Sequence, residues 1–146
     1  MVYYAQLPRR GSLDYIYKEY RKIPIEGKRL YMATQFNPVT PELLAELRQV
    51  VGDKYVKTDE DYLEKYQTDE EGNSHYFHKP EVVVFPGSTE EVAAIVKLAN
   101  KYLVPITPRS AGSGVACGAI PVYHGMVVEL ERMNQILKFD ADNMYA

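Results

Sequence analysis

Between residues 81 and 107 the hydrophobic period of the chain changes from strand to helix and back, which restricts the folds open to it. Glu81-Val82-Val83-Val84-Phe85 is a short β-branched and aromatic run bounded by Pro80 and Pro86-Gly87, the pattern of a buried strand. Ser88-Thr89-Glu90-Glu91 follows as a capping box, and Val92, Ile95, Val96 and Ala99 recur behind it at helical spacing, predicting a helix to about residue 102. A second strand is expected over residues 104–107. Strand, helix and strand make a βαβ unit, whose crossover is right-handed and whose ligand edge is the carboxyl end of the strands.

Upstream, Thr40 and Pro41 suit the N-cap and first position of a helix. Leu43, Leu44, Leu47, Val50 and Val51 form its apolar face, and Gly52 ends it. A shorter helix fits residues 59–66, the acidic loop 68–73 follows, and Met126-Val127-Val128-Glu129-Leu130 predicts a further strand. The fold class expected is α+β, a small βαβ-containing sheet flanked by helices.

Between the last two strands lies Thr107-Pro108-Arg109-Ser110-Ala111-Gly112-Ser113-Gly114-Val115-Ala116-Cys117-Gly118. Small residues at this density let a backbone approach a ligand and turn successive N–H groups into one concavity, a way to solvate a phosphate without a lysine cluster. Arg109 and the Ser113 hydroxyl are candidate additional donors. A Walker A loop would end in Gly-Lys-Ser/Thr, and no lysine occurs between Lys101 and Lys138. A Rossmann loop would open a helix, whereas Ala119-Ile120-Pro121 follows. Glycine is also the default turn residue, so composition leaves an ordinary connection between strands open.

The series of motifs narrows that choice. The run 80–92, the loop 108–114, Gly125-Met126-Val127-Val128 and Glu131-Arg132-Met133-Asn134-Gln135-Ile136-Leu137 occur in one order and spacing. Together they resemble the amino-terminal half of the FAD-binding domain of the p-cresol methylhydroxylase and vanillyl-alcohol oxidase type. The branch they resemble most is that of the glycolate oxidases and D-lactate dehydrogenases. The likeness reaches back through Tyr66-Gln67-Thr68-Asp69-Glu70 and Val51-Gly52-Asp53, covering roughly residues 40–146.

The resemblance implies a flavin-dependent oxidoreductase of the 2-hydroxy-acid dehydrogenase kind. Pro108, Arg109, Ser110, Ala111, Gly112, Ser113, Gly114 and Gly118 would be its cofactor-binding residues. Some relatives bond the flavin covalently through a histidine in this loop; none is present, so non-covalent FAD is implied. The family usually has glycine at position 110 and often Gly-Gly at 117–118, where this chain has Ser110 and Cys117-Gly118, which puts Ser110 in doubt if its φ is positive. Related enzymes are much longer. The expected organisation is therefore an extension over 1–39, a helical lead-in over 40–79 and the first half of the flavin domain over 80–146, a fragment inactive alone. Catalytic base and substrate clamp would lie beyond residue 146. Alternatives are a flavoenzyme of another class on the same domain, such as the reductase of cell-wall precursor synthesis, and a non-catalytic nucleotide-binding module.

Other signals are weaker. Tyrosines and basic residues interleave over residues 1–31, read as a mobile extension or as sequence upstream of a start at Met32. His75 and His78 are three apart in an expected loop that lacks a third ligand, so no metal is expected. His124 reads as a turn residue, Cys117 as a packing residue, Asp69 and Glu70 as an exposed acidic loop, and residues 131–137 as a short helical turn. The net charge of −3 lacks the basic stripe of a nucleic-acid partner. One cysteine, with neither a signal peptide nor a long apolar run, makes a cytoplasmic location the expectation, with peripheral membrane attachment left open. The partner expected is a small 2-hydroxy acid; electron acceptor and oligomeric state are not legible.

Overall fold

The computed structural model describes residues 36–146 apart from 71, 73 and 146, so the readings made for residues 1–31 and for Met32 lie outside the described residues. Helix α1 (Pro41–Val51) begins where its cap is encoded. The Thr40 Oγ1 accepts the Leu43 N–H at 3.3 Å, and Leu43, Leu47 and Val51 are buried along one face. Strand β1 (Val56–Lys57) leads to α2 (Glu60–Leu63), which tightens into a 3₁₀ turn (Glu64–Tyr66). Together these span the helix expected over 59–66.

Strand β2 (Val82–Val84) precedes α3 (Thr89–Tyr102), and both helix bounds match the sequence reading. Ser88 Oγ accepts the Glu91 N–H at 3.2 Å, while Glu91 Oε2 accepts from the N–H of Gly87 at 2.7 Å, one residue before the cap. Ile95 and Ala99 are buried, but Val96 is exposed. Strand β3 (Ile106–Arg109) starts two residues later than expected, because Leu103 ends α3 in the left-handed region at φ 55° and Val104 N–H returns to the Ala99 carbonyl. Strand β4 is Met126–Glu129.

The sheet order is β1-β2-β4-β3, with β1 antiparallel to β2 and the other pairs parallel. The βαβ unit is thus present, but β4 is inserted between its two strands. Val82, Val84, Met126 and Val128 pack under α1 and α3 with Leu43, Leu47 and Ile95. On the opposite face, Val83 and Val127 pack with Leu63, Phe85 and the partly buried Tyr55, Tyr62 and Tyr66. Successive strand residues face opposite ways, so β2 and β4, covered on both sides, read as unbroken apolar runs. Pro108 is accommodated because β3 is an edge strand.

The helical turn expected over 131–137 is reduced to one bond, Met133 N–H to the Leu130 carbonyl. Ile136 and Leu137 are exposed, and a segment this short does not hold helix without a surface to pack on. Among the described residues no helix is long and apolar enough to cross a membrane.

Two local devices are testable. Thr40→Ala should cost about 1 kcal/mol through the lost cap. Gly125 has φ +58°, and a Cβ there would lie 2.7 Å from the Pro105 carbonyl oxygen and closer still to its ring. Gly125→Ala should therefore cost at least about 2 kcal/mol. Urea titrations of both variants measure the costs, and a smaller loss for Gly125→Ala than for Thr40→Ala would contradict this reading.

Candidate functional site

Because β2, β4 and β3 run parallel, the loops leaving their carboxyl ends share one edge of the sheet. Residues 85–88 and the 108–118 loop both leave from this edge, and a third loop, at residues 130–132, joins them. Arg132 binds this edge together. Its Nη1 donates to the Phe85 carbonyl at 2.6 Å and lies 3.4 Å from Glu91 Oε2, and its guanidinium stacks 3.5 Å over the Tyr55 ring. Nothing in the sequence marked Arg132 for this task, since all three contacts lie far away along the chain.

The parallel register places Arg109 directly opposite Glu129. Both side chains are nearly sequestered from solvent, 11% and 5% exposed, with Nε and Oε2 3.7 Å apart. Arg109 Nη1 donates to the Thr68 carbonyl at 2.6 Å and, at 3.4 Å, to that of Ala119. Arg109 was expected as a phosphate donor; its guanidinium is instead turned under the loop. Gly112 is what makes room for it. A Cβ at this position would overlap the guanidinium, and the φ of +68° independently favours glycine.

Above this brace the loop presents free donors. Among the described residues, the N–H groups of Gly112, Ser113 and Gly114 donate to no protein acceptor, and residues 113–116 are exposed. A Cβ on Gly114 or Gly118 would meet nothing within 4 Å among the described residues, and neither glycine has positive φ. Packing and dihedral angle among the described residues therefore leave glycine at these two positions unexplained. Ser110, the residue in doubt, does not have positive φ; the strain falls on Cys117, at φ 59°. Pro108, Ser110 and Ala111 lie at the loop's start, and a cavity of about 520 Å³ opens beside them, lined by Tyr62, Lys65, Tyr66, Arg109, Ser110 and Glu129 among others.

The remaining candidates fall elsewhere or change character. His78 and His124 precede β2 and β4, at the opposite edge of the sheet. Their rings are 5.9 Å apart, and His124, at φ 60°, places Nδ1 2.9 Å from the Lys79 carbonyl in a turn. His75 lies in a 3₁₀ turn (Ser74–Tyr76). No group of three or more potential metal ligands occurs among the described residues. Asp69 corrects the reading of an exposed acidic pair: it is 7% exposed, while Glu70 is on the surface and donates its N–H to the Gly114 carbonyl at 3.2 Å. That backbone bond fastens the acidic segment to the glycine loop.

Burial pushes the Glu129 carboxyl above the usual carboxylate range, with Arg109 pulling the other way and Glu131 adding to the rise. A carboxyl whose folded pKa exceeds its unfolded value binds its proton more tightly in the native chain, so it disfavours folding above the folded pKa and this cost disappears as pH falls. Relative to Glu129→Gln, which does not titrate, the wild type should gain stability on going from neutral pH down to the ordinary glutamate pKa of about 4.3. Urea midpoints of the pair at both pH values measure this; a wild type that loses ground would mean that Arg109 outweighs burial.

The geometry agrees with what the chain resembles. The family model described as FAD binding domain matches residues 80–146. A D-lactate dehydrogenase of Anaerostipes hadrus is 37% identical over 109 residues, 75% of this chain and 22% of the relative. A D-2-hydroxyglutarate dehydrogenase of Stutzerimonas stutzeri is 37% identical over 100 residues, 68% of this chain and 21% of the relative. The chain thus spans about a fifth of the length of these relatives. A solved structure of p-cresol methylhydroxylase with bound substrate superposes at a TM-score of 0.58 and 29% identity, covering 70% of this chain and 21% of that one. With its α+β sheet, its loop series and these matches, the chain carries over residues 80–146 the FAD binding domain of the p-cresol methylhydroxylase type.

Proposed function

We propose that the 107–118 loop holds the pyrophosphate of a non-covalently bound FAD in an oxidoreductase that acts on a D-2-hydroxy acid. The single observation that carries the reading is the pairing of free N–H groups at Gly112, Ser113 and Gly114 with glycines 114 and 118, which the chain's own packing does not require. An anion is solvated there by aligned peptide dipoles. Ser113 supplies a hydroxyl beside them, and Pro108, Ser110 and Ala111 shape the approach.

The relatives' names support the substrate class, since lactate and 2-hydroxyglutarate are both 2-hydroxy acids. When bound, the flavin supplies the hydride acceptor for oxidation of the substrate carbinol carbon. The residues of this chain bind and orient: the loop fixes the phosphates, and Arg132 and Arg109 hold the neighbouring loops at one edge. A cytoplasmic location, with or without attachment to a membrane surface, belongs to the same reading and rests on the single cysteine.

The structure singles out Gly114 for the test, because a side chain at Gly112 would disturb Arg109 as well as the ligand. Gly114→Val should leave the melting temperature within about 2 °C of wild type, since a Cβ at this position meets no described protein atom within 4 Å. The flavin-to-protein absorbance ratio should fall at least about tenfold, as peptide N–H contacts to the phosphates are blocked. Full flavin occupancy in this variant would refute the assignment of the loop.

A further inference from the structure

Arg109 lies within the proposed phosphate loop, yet its guanidinium faces the protein. It reaches three separate points of the same structure. Nη1 joins the Thr68 carbonyl, before β2, to the Ala119 carbonyl at the far end of the loop, and the guanidinium lies against Gly112 in the middle. The group sits 5.3 Å over the Tyr66 ring, and Glu129 balances its charge from the next strand. A second tie, Glu70 N–H to the Gly114 carbonyl, fastens the same two segments.

We propose that Arg109 is a positioning residue: it sets the shape in which the loop presents the Gly112, Ser113 and Gly114 N–H groups, and it does not itself contact the phosphate. The inference rests on the FAD reading above. A guanidinium suits the task because its planar fork serves two carbonyls and a carboxylate from one place, which a lysine ammonium cannot do. The opposed Glu129 keeps the positive charge directed into the protein and away from the anion.

The test is titration of the flavin-free protein with FAD, monitored by fluorescence quenching over a range of salt concentrations, for wild type, Arg109→Lys, Arg109→Ala, Gly112→Ala and the double substitution Arg109→Ala with Gly112→Ala. Arg109→Ala should weaken FAD binding by about tenfold or more, with the dependence of affinity on salt unchanged, because no phosphate-bound charge is lost. Arg109→Lys should restore little. The two alanine substitutions should be less than additive, since a Cβ at residue 112 has no guanidinium to displace once Arg109 is gone. Amide hydrogen exchange at Glu70, whose N–H is held by the Gly114 carbonyl, should accelerate in both Arg109 variants.

A flatter salt dependence together with rescue by lysine would show direct phosphate contact and overturn the proposal. Strict additivity would overturn the link through Gly112. Unchanged amide exchange in folded Arg109→Lys would overturn the positioning role whatever happens to the flavin. Failure of the wild type to bind FAD would instead refute the loop assignment, and the exchange measurement would still decide whether Arg109 shapes the loop.

Discussion

The insertion of β4 between β2 and β3 is the constraint on which the rest of the structure depends. Met126, Val127 and Val128 are buried from both sides, so this strand has its place only in the middle of the sheet, with helices on one face and the Leu63, Phe85 and tyrosine cluster on the other. Parallel pairing on both its flanks then forces three carboxyl-end loops to one edge. It also fixes the register that sets Arg109 against Glu129. Every feature of the candidate site follows from that placement.

Two arginines stabilise the edge by different means. Arg132 spans from the β4 loop to the β2 loop, with an aromatic ring beneath it and a carboxylate beside it. Arg109 works from within β3 and closes the base of the glycine loop. Each donates to backbone carbonyls that no sheet ladder would otherwise satisfy, and a charged donor makes the stronger bond. The edge is therefore built before any ligand arrives, which reduces the ordering that binding must impose.

The glycines of the loop divide accordingly. Gly112 is demanded by the chain, through its dihedral angle and the guanidinium against it; Gly114 and Gly118 are demanded by neither. Sequence alone ranked them together, because a one-dimensional pattern records size and not what lies opposite. The same limit explains the doubt attached to Ser110 and the lack of attention to the backbone strain at Cys117, since φ is set by the path of the loop between β3 and the buried Ile120.

What the sequence determined by itself was local or periodic. The Thr40 and Ser88 caps, the faces and ends of α1 and α3, the apolar runs of β2 and β4, and the small-residue loop all depend on residues within a few positions of one another, where backbone sterics and hydrogen bonding act directly. The tertiary structure decided the strand order, the inward turn of Arg109, the role of Arg132, the burial of Asp69 and Glu129, and the failure of residues 131–137 to form a helix. These depend on contacts between segments tens of residues apart, such as Arg109 with Thr68 or Arg132 with Phe85, and on which surfaces exist for a segment to pack against. Such proximity comes from burying β4 on both faces, a property of the assembled sheet that no local stretch of the chain contains.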